Sequence, residues 1–188
     1  VLYALPEIIA KHPEVVYLII GKTHPEVLKK EGEKYRNMLI ETTKKLNIEN
    51  NVFFINEFLE LKQLLNYLIL SDIYLFASKD PNQAVSGTFA YAMSCGCAII
   101  STPIAHAIEV LDDNIGILLD GFDKPKEFQK AIFELVENKE KRLEMGRNGY
   151  ALTHETTWEN IALKYGFLFA TVTESKKKLR FNFPPIKL

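Results

Sequence analysis

A series of short, wholly apolar runs separated by longer segments of helical pattern constrains the fold more than any other feature of the sequence. The first run, at residues 15–20, reads VVYLII and ends at Gly21. β-branched and aromatic residues without alternating polar ones are typical of a strand that is buried on both faces, as in parallel sheets. Comparable runs lie at residues 52–55, 73–77, 98–101 and 116–119. The sequence therefore predicts an α/β fold with a parallel sheet.

Helical segments separate these strands. The clearest lie at about 25–46 and 59–70, each between two apolar runs. A strand–helix–strand series with right-handed crossovers places helices on both faces of one sheet. We therefore expect a doubly wound, Rossmann-like parallel sheet. Three more helices are predicted after the last strand, at about 124–136, 140–152 and 157–173.

The two ends of the chain differ from its centre. The first eleven residues have helical spacing without an N-cap or an initiating Met, so we expect the chain to begin inside a helix. Residues 175–188 combine a basic cluster at 176–180 with Pro184 and Pro185, which favours a linker or tail. We therefore predict a domain at 1–174 and a tail at 175–188. Contact between the basic cluster and phosphates is the alternative to a solvated tether.

The charge balance and hydropathy argue against several classes of partner. Lys and Arg number 23 against 24 Asp and Glu, a formal net charge of -1, so no global basic field favours nucleic acid or anionic lipid. No run approaches the roughly 18 consecutive apolar residues of a membrane helix. We therefore expect a small-molecule ligand and a cytoplasmic protein without a transmembrane segment.

The cysteines and histidines do not have the spacing of a metal site. Cys95 and Cys97 flank Gly96, which is neither a redox nor a zinc motif, so we expect two reduced, buried thiols. The four histidines show no i, i+4 pair. The sequence predicts no bound metal and no cofactor.

The longest polar connection at a strand's carboxyl end follows the run at 73–77. It reads SKDPNQAVSGT over residues 78–88 and enters a short apolar helix that Gly96 terminates. Ligands of open α/β sheets bind beyond the carboxyl ends of the strands. Ser86 or Gly87 would lie at the helix start, where free N–H groups and the positive dipole end suit a phosphate. An ordinary Ser N-cap followed by a packing glycine is the equal alternative.

Two other phosphate-binding loops are excluded by the sequence. It contains neither Gly-x-Gly-x-x-Gly after a strand nor Gly-x-x-x-x-Gly-Lys-Ser/Thr. This argues against an NAD site and against a P-loop.

Residues 76–78 (FAS) and 91–102 (YAMSCGCAIIST) resemble the donor-site block of the GT-B glycosyltransferases. The form is that of the large retaining group 1 family, which contains sucrose synthases and many mannosyl- and glucosyltransferases. Its members carry two Glu residues separated by seven others, and the second Glu is followed by Ala-Met-Ala-Cys-Gly-x-Pro-Val-Ile. The variant here, Gln-x-Val-Ser-Gly-Thr with Ala-Tyr-Ala, is similar to that of a bacterial subgroup. The resemblance runs from residue 1 to about 173.

This resemblance implies two Rossmann-like domains with the active site between them. The chain would be the second, nucleotide-sugar-binding domain, and a missing N-terminal domain would carry the acceptor site. By alignment the chain starts after the first, central strand. The strands at 15–20 and 73–77 would then lie at about twice the usual ~4.8 Å spacing or pair directly.

The resemblance also implies the residues of a donor site. The backbone at 85–88 would meet the diphosphate or the sugar, and Gln83 and Tyr91 replace the family's first and second Glu. Gln83 retains hydrogen-bonding capacity for a sugar hydroxyl without the charge. The positions assigned to the donor sugar and diphosphate are Gln83, Val85, Ser86, Gly87 and Thr88, with Tyr91 on the ribose side.

Several weaker candidates follow the other strands. Gly21 and Lys22 would face the same cleft, or form a turn with an exposed Lys. Glu109 would face the donor, or favour the dipole at the start of a helix. His106 is a further candidate near that helix. The family's backbone commonly meets the base after its next strand, where this chain has Asn56, Glu57 and Phe58.

The function implied by the resemblance is that of the donor-binding half of a retaining glycosyltransferase. The full-length parent would move a sugar, as a hexosyltransferase, from a nucleoside diphosphate sugar to a glycan or other acceptor. The chain itself would hold no assigned catalytic residue and would be inactive alone. A non-catalytic GT-B-like domain that binds a nucleotide or glycan is the alternative, followed by an α/β scaffold for protein contacts.

Overall fold

The computed structural model describes residues 1–180. Its strands are β1 (Tyr17–Ile20), β2 (Val52–Ile55), β3 (Ile73–Phe76), β4 (Ala98–Ser101) and β5 (Gly116–Leu118). Each falls within one of the predicted apolar runs. The strands are shorter than the runs by up to two residues because apolar side chains continue into the turns.

All strand pairs are parallel, as predicted, but the strands form two sheets. β1 pairs with β2, with Tyr17 opposite Val52, and β3, β4 and β5 form a second sheet in that order. Within the described residues β1 and β3 do not pair, so the direct pairing offered as one alternative is not formed.

Helices connect the strands. After a 3-10 turn at Leu2–Ala4 they are α1 (Leu5–Lys11), α2 (Pro25–Glu31), α3 (Lys34–Lys45), α4 (Leu61–Ile69), α5 (Gly87–Ser94), α6 (Ala105–Val110), α7 (Pro125–Glu137), α8 (Lys139–His154) and α9 (Trp158–Arg180). Over residues 1–180 none of them has both the length and the apolar character needed to cross a bilayer. The predicted helical start of the chain is confirmed.

The single long helix predicted at 25–46 is wrong, because two helices occupy this segment. α2 ends at Gly32, whose φ of +63° lies in the left-handed region that favours glycine. Leu28 accepts a hydrogen bond from the Gly32 amide at 3.0 Å, which closes the helix end. The chain then turns and begins α3 at Lys34.

The chain divides into two compact units, residues 1–150 and a second unit that begins at Ala151. In the second unit the Thr157 hydroxyl caps α9 by accepting from the Asn160 amide at 3.5 Å. α9 runs to Arg180, so it includes the first six residues of the predicted tail. Lys, Leu and Arg are good helix formers, which explains why the helix continues. Residues 181–188 of that tail lie outside the described residues.

The core of the first unit has apolar clusters on both faces of β4. Ile100 packs in a cluster with residues of α1 and α7, such as Ile8 and Leu135. Ile99 packs in another with residues of α5 and the α6 N-cap, such as Phe89 and Ile104. Neighbouring residues of a strand point to opposite faces. Helices therefore cover both faces of this sheet, which confirms the doubly wound architecture.

The two cysteines differ in burial. Cys97 is buried, and its thiol donates to the Leu68 carbonyl at 3.1 Å. Burial raises the pKa of Cys97 to about 12, so the thiol is neutral at physiological pH. Cys95 is only partly buried, so the expectation of two buried thiols holds for Cys97 alone.

The turn after α5 packs against the backbone of α8. Gly96 has a φ of +77°, and a Cβ added at Gly146 would lie 2.1 Å from the Gly96 carbonyl oxygen. Both contacting groups are backbone, so neither can move as a side chain would. This contact requires glycine at position 146.

We predict that Gly146→Ala destabilises the first unit by about 2 kcal/mol, because overpacking outweighs the better helix propensity of Ala. The matched control is Gly149→Ala in the same helix, where the nearest atom to the added Cβ is 3.6 Å away, an ordinary contact. Thermal unfolding followed by circular dichroism measures both changes. An unchanged melting temperature for Gly146→Ala would show that the two backbones separate at no cost.

Candidate functional site

The candidate site begins with the loop that joins β3 to α5. β3 ends at Phe76 and α5 begins at Gly87, and we call residues 77–86 the donor loop. Thr102, immediately after β4, holds the start of this loop. Its hydroxyl lies 2.7 Å from the Ser78 carbonyl and 3.3 Å from that of Phe76. The parallel register of β3 and β4 brings these positions together.

The start of α6 holds the rest of the donor loop. The Ala105 amide donates to the Pro81 carbonyl at 3.0 Å, and the His106 amide donates to the Gln83 carbonyl at 3.3 Å. The Ser86 amide donates to His106 Nδ1 at 3.2 Å. Backbone and side-chain groups of α6 therefore fix three points of the loop.

The N-terminus of α5 faces open space. Gly87 and Thr88 are exposed, and a Cβ added at Gly87 would meet no atom within 4 Å. Ser86 is buried, and its Oγ accepts from the Phe89 amide at 3.3 Å. The amides of the first helical turn have no partner within the helix. The Ser N-cap of the alternative interpretation is present, but its packing glycine is not, because Gly87 has no close neighbour; phosphate binding at this helix start stays a prediction.

The hydroxyl groups of Tyr74 and Ser86 fix the orientation of Thr88. The Tyr74 hydroxyl donates to Thr88 Oγ1 at 2.8 Å, and Ser86 Oγ lies 3.3 Å from the same atom. Burial raises the pKa of Tyr74, so its phenol stays protonated and available as a donor. These hydroxyls form a short network under the first turn of α5.

Phe89 anchors the helix in the core. It is completely buried, and its ring lies 5.7 Å from that of Phe76 in an edge-on arrangement. The His106 ring lies 4.8 Å from it on another side. Because a buried aromatic ring contributes a large apolar area, Phe89 fixes the position of the N-terminus of α5, which begins two residues earlier.

The two residues that replace the family's carboxylates lie on this same segment. Gln83 is half-buried, and Tyr91 is 39% exposed one turn into α5. Val85 is 74% exposed at the end of the donor loop. The structure thus places the predicted donor-site residues on one continuous segment, in which Val85, Gly87 and Thr88 are exposed and Ser86 is buried. Their contact with a donor stays a prediction.

A second group of predicted residues lies at the carboxyl ends of β1 and β2. Gly21 has a φ of +130°, and its amide donates to the Ile55 carbonyl at 3.0 Å. This bond places Gly21 beside the start of the segment Asn56–Glu57–Phe58, all of whose residues are exposed. Lys22 is also exposed, and no ion pair recorded over residues 1–180 includes it.

Sequence reasoning missed the group that supports Gly21. Arg36, on α3, donates from Nη2 to the Gly21 carbonyl at 2.6 Å and from Nε to Glu33 at 3.2 Å. Thr23 donates to the same Glu33 carboxylate at 2.6 Å. A lone Arg on a polar helical segment has no spacing signal that could have revealed this contact.

The placement of Glu109 at a helix start is wrong. α6 begins at Ala105 and ends at Val110, so Glu109 is near its carboxyl end, and its side chain is exposed. Donor-loop carbonyls already accept from amides at the start of α6. Glu109 therefore cannot favour the positive end of this helix dipole, whereas His106 contacts the donor loop directly.

A cavity of about 290 Å³ lies elsewhere, along β5, with Asp112, Asp113 and Glu134 among its lining residues. The Glu134 carboxylate forms an ion pair with Lys141 at 2.5 Å. Asp112 is used in the turn before β5, where its Oδ1 accepts from the Asn114 amide at 2.9 Å. Two of its three acidic groups, Asp112 and Glu134, thus already have partners, so the donor-loop region is the better candidate site.

A doubly wound α/β domain with an open helix N-terminus at the carboxyl end of a strand defines the class of Rossmann-like ligand-binding domains. Comparison with known proteins identifies the family. The chain belongs to the glycosyl transferases group 1 family, whose model matches residues 1–152. The match covers β1 to β5 and nearly all of α8.

The relatives and structural neighbours agree with this family. An uncharacterized glycosyltransferase of Methanocaldococcus jannaschii is 29% identical over 133 residues, 69% of this chain and 34% of that protein. The C-terminal domain of the Francisella tularensis group 1 protein LpcC has a TM-score of 0.70 at 22% identity, covering 85% of this chain and 77% of that chain. For Anabaena HepE in complex with UDP the TM-score is 0.72 at 18% identity, covering 91% of this chain and 44% of that chain.

These neighbours define the fold as that of the C-terminal domain of GT-B glycosyltransferases. The chain spans about a third of the length of the curated relatives it matches.

We predict that Ser86→Ala destabilises the first unit by about 1 kcal/mol, because the Phe89 amide loses its capping oxygen. The expected fall in melting temperature is roughly 2–4 °C for a chain of this size. Ser94→Ala is the matched control at the other end of the same helix, where the hydroxyl is exposed and donates to the Ala90 carbonyl. Equal effects of the two substitutions would show that the cap is not stabilising.

Proposed function

We propose that the chain is the donor-binding half of a retaining glycosyltransferase. The parent protein would transfer a hexose from a nucleoside diphosphate sugar to a glycan or other acceptor. One observation carries the proposal: the N-terminus of α5, at Gly87, is open at the carboxyl end of β3 in a chain of the glycosyl transferases group 1 family.

An open helix N-terminus suits a diphosphate for two reasons. The unpaired amides of Gly87 and Thr88 are hydrogen-bond donors, and the helix dipole places about half a positive charge at that end. The absence of a side chain at Gly87 lets phosphate oxygens approach the backbone closely. A diphosphate can therefore bind there without a basic side chain.

The remaining candidates would hold the rest of the donor. Gln83 would hydrogen-bond the sugar through its amide, and Tyr91 would lie on the ribose side. Val85 and Thr88 would border the sugar and diphosphate. The groups proposed for the nucleotide are Gly21, Lys22, Asn56, Glu57 and Phe58. No metal or cofactor enters this proposal, since the nucleoside diphosphate sugar is the donor substrate.

A structural neighbour of the same fold supports this choice of ligand. HepE has been solved with UDP, with UDP and glucose, and with UDP-glucose. The family match extends through the whole segment from β3 to β5, which contains the donor loop. We infer a nucleoside diphosphate sugar as the ligand class.

In the proposed reaction the chain contributes electrostatic preorganisation. Fixed amides at the start of α5 would stabilise the negative charge that develops on the leaving diphosphate. The hydrogen bonds from α6 and Thr102 hold the donor loop before the ligand arrives, so little reorganisation is needed. We assign no catalytic nucleophile or general base to this chain. The acceptor would bind to an N-terminal domain of the parent, which we propose to be cytoplasmic, and the chain alone would be inactive in transfer.

A second function is favoured by the two replaced carboxylates. Gln83 and Tyr91 stand where the family has Glu, so neither supplies negative charge to the donor. A non-catalytic domain that binds a nucleotide or a glycan for regulation would tolerate this loss. Transfer assays on the full-length parent, with a panel of nucleoside diphosphate sugars, separate the two functions, because the regulatory domain binds without turnover.

We predict that Gly87→Asp lowers the affinity for a nucleoside diphosphate at least tenfold, about 1.4 kcal/mol, because a carboxylate would lie where the phosphate binds. Gly87→Asn is the matched control, since it has the same shape without the charge and should lose less affinity. Isothermal titration with UDP and with GDP measures the change. A folded Gly87→Asp protein with wild-type affinity would contradict the proposed site.

A further inference from the structure

We infer that His106 is a positioning residue for the donor: its neutral imidazole holds the donor loop in the conformation that presents the start of α5 to the ligand. This inference rests on the proposed function. His106 contacts the donor loop and acts on the donor only by holding that loop in place.

Three contacts connect His106 to the loop and to α5. Nδ1 accepts from the Ser86 amide at 3.2 Å, and the backbone amide of His106 donates to the Gln83 carbonyl at 3.3 Å. The ring also lies 4.8 Å from that of the buried Phe89. Ser86 is the N-cap of α5, so the imidazole fixes the residue immediately before the open helix end.

The bond to Ser86 requires one protonation state of the imidazole. Nδ1 can accept a hydrogen bond only when the ring is neutral and carries its proton on Nε2. Protonation would place an N–H on Nδ1, so that two donors face each other. The loop would then lose one of its anchors, and the donor site would become less well ordered.

The elements around the ring carry few other ionisable groups. The donor loop contributes Lys79 and Asp80, and Lys79 forms an exposed ion pair with Asp123 at 2.6 Å. α5 contributes Tyr91, and α6 contributes the exposed Glu109. Within residues 1–180, none of the recorded ion pairs includes His106. The hydrogen bond from the Ser86 amide is therefore the polar contact that depends most directly on the protonation state of the imidazole.

Substitutions at position 106 distinguish the effect of the hydrogen-bond acceptor from the effect of the aromatic ring. Asn places its Oδ1 near the position of Nδ1, so H106N keeps an acceptor for the Ser86 amide at every pH. H106L removes the acceptor, and H106Q moves it toward the position of Nε2. H12N is the control on an unrelated histidine, which precedes β1 and pairs with Glu137 at 3.3 Å.

The experiment is isothermal titration of UDP and of GDP into the wild-type protein and the four variants at pH 8. We expect H106N to bind roughly threefold to tenfold more tightly than H106L or H106Q, the range set by one net hydrogen bond. Rescue by H106N, but not by H106Q, identifies the acceptor at the Nδ1 position as the group that matters. H12N should follow the wild type.

The outcomes distinguish this inference from the proposed function. Failure of the wild-type protein to bind either nucleotide at pH 8 would overturn the proposed function and the inference with it. Wild-type binding with equal affinities for H106N, H106Q and H106L would overturn the inference alone. If H106L does not fold, the comparison of H106N with H106Q decides in the same way.

Discussion

The burial of β4 determines how the helices and loops of the first unit are arranged. Its four residues are all buried, and Ile99 and Ile100 direct their side chains into clusters on opposite faces of the sheet. One strand thus joins the helices of both layers. Because β3 pairs with β4 in parallel register, Thr102 emerges next to Ser78, and the loops that follow the two strands meet at one edge. The candidate site is a consequence of this packing.

The site that results is made mainly of backbone. Carbonyls of the donor loop are held by Thr102 and by amides at the start of α6, while Gly87 at the start of α5 borders open space. Such an arrangement suits a ligand whose charge is spread over several oxygens, as in a diphosphate.

The strands and the start of α5 could be predicted from sequence because each has a strong local cause. Apolar runs specify buried strands, and Ser86 followed by Gly87 specifies a helix start after a polar loop. The break at Gly32 was missed because a single glycine is tolerated within many helical patterns. Glu109 was misplaced because the start of the short α6 is fixed by hydrogen bonds to the donor loop. The support of Gly21 by Arg36 is a tertiary contact, for which spacing along the chain gives no signal.

We propose that a nucleoside diphosphate binds at the start of α5. A nuclear magnetic resonance titration of the ¹⁵N-labelled protein with UDP and with GDP, followed through the backbone amides, tests this binding directly. We predict that the largest shift changes occur at Gly87 and Thr88, because their N–H groups would donate to the phosphate oxygens. Shift changes confined to the cavity along β5, or no changes with either nucleotide, would contradict it.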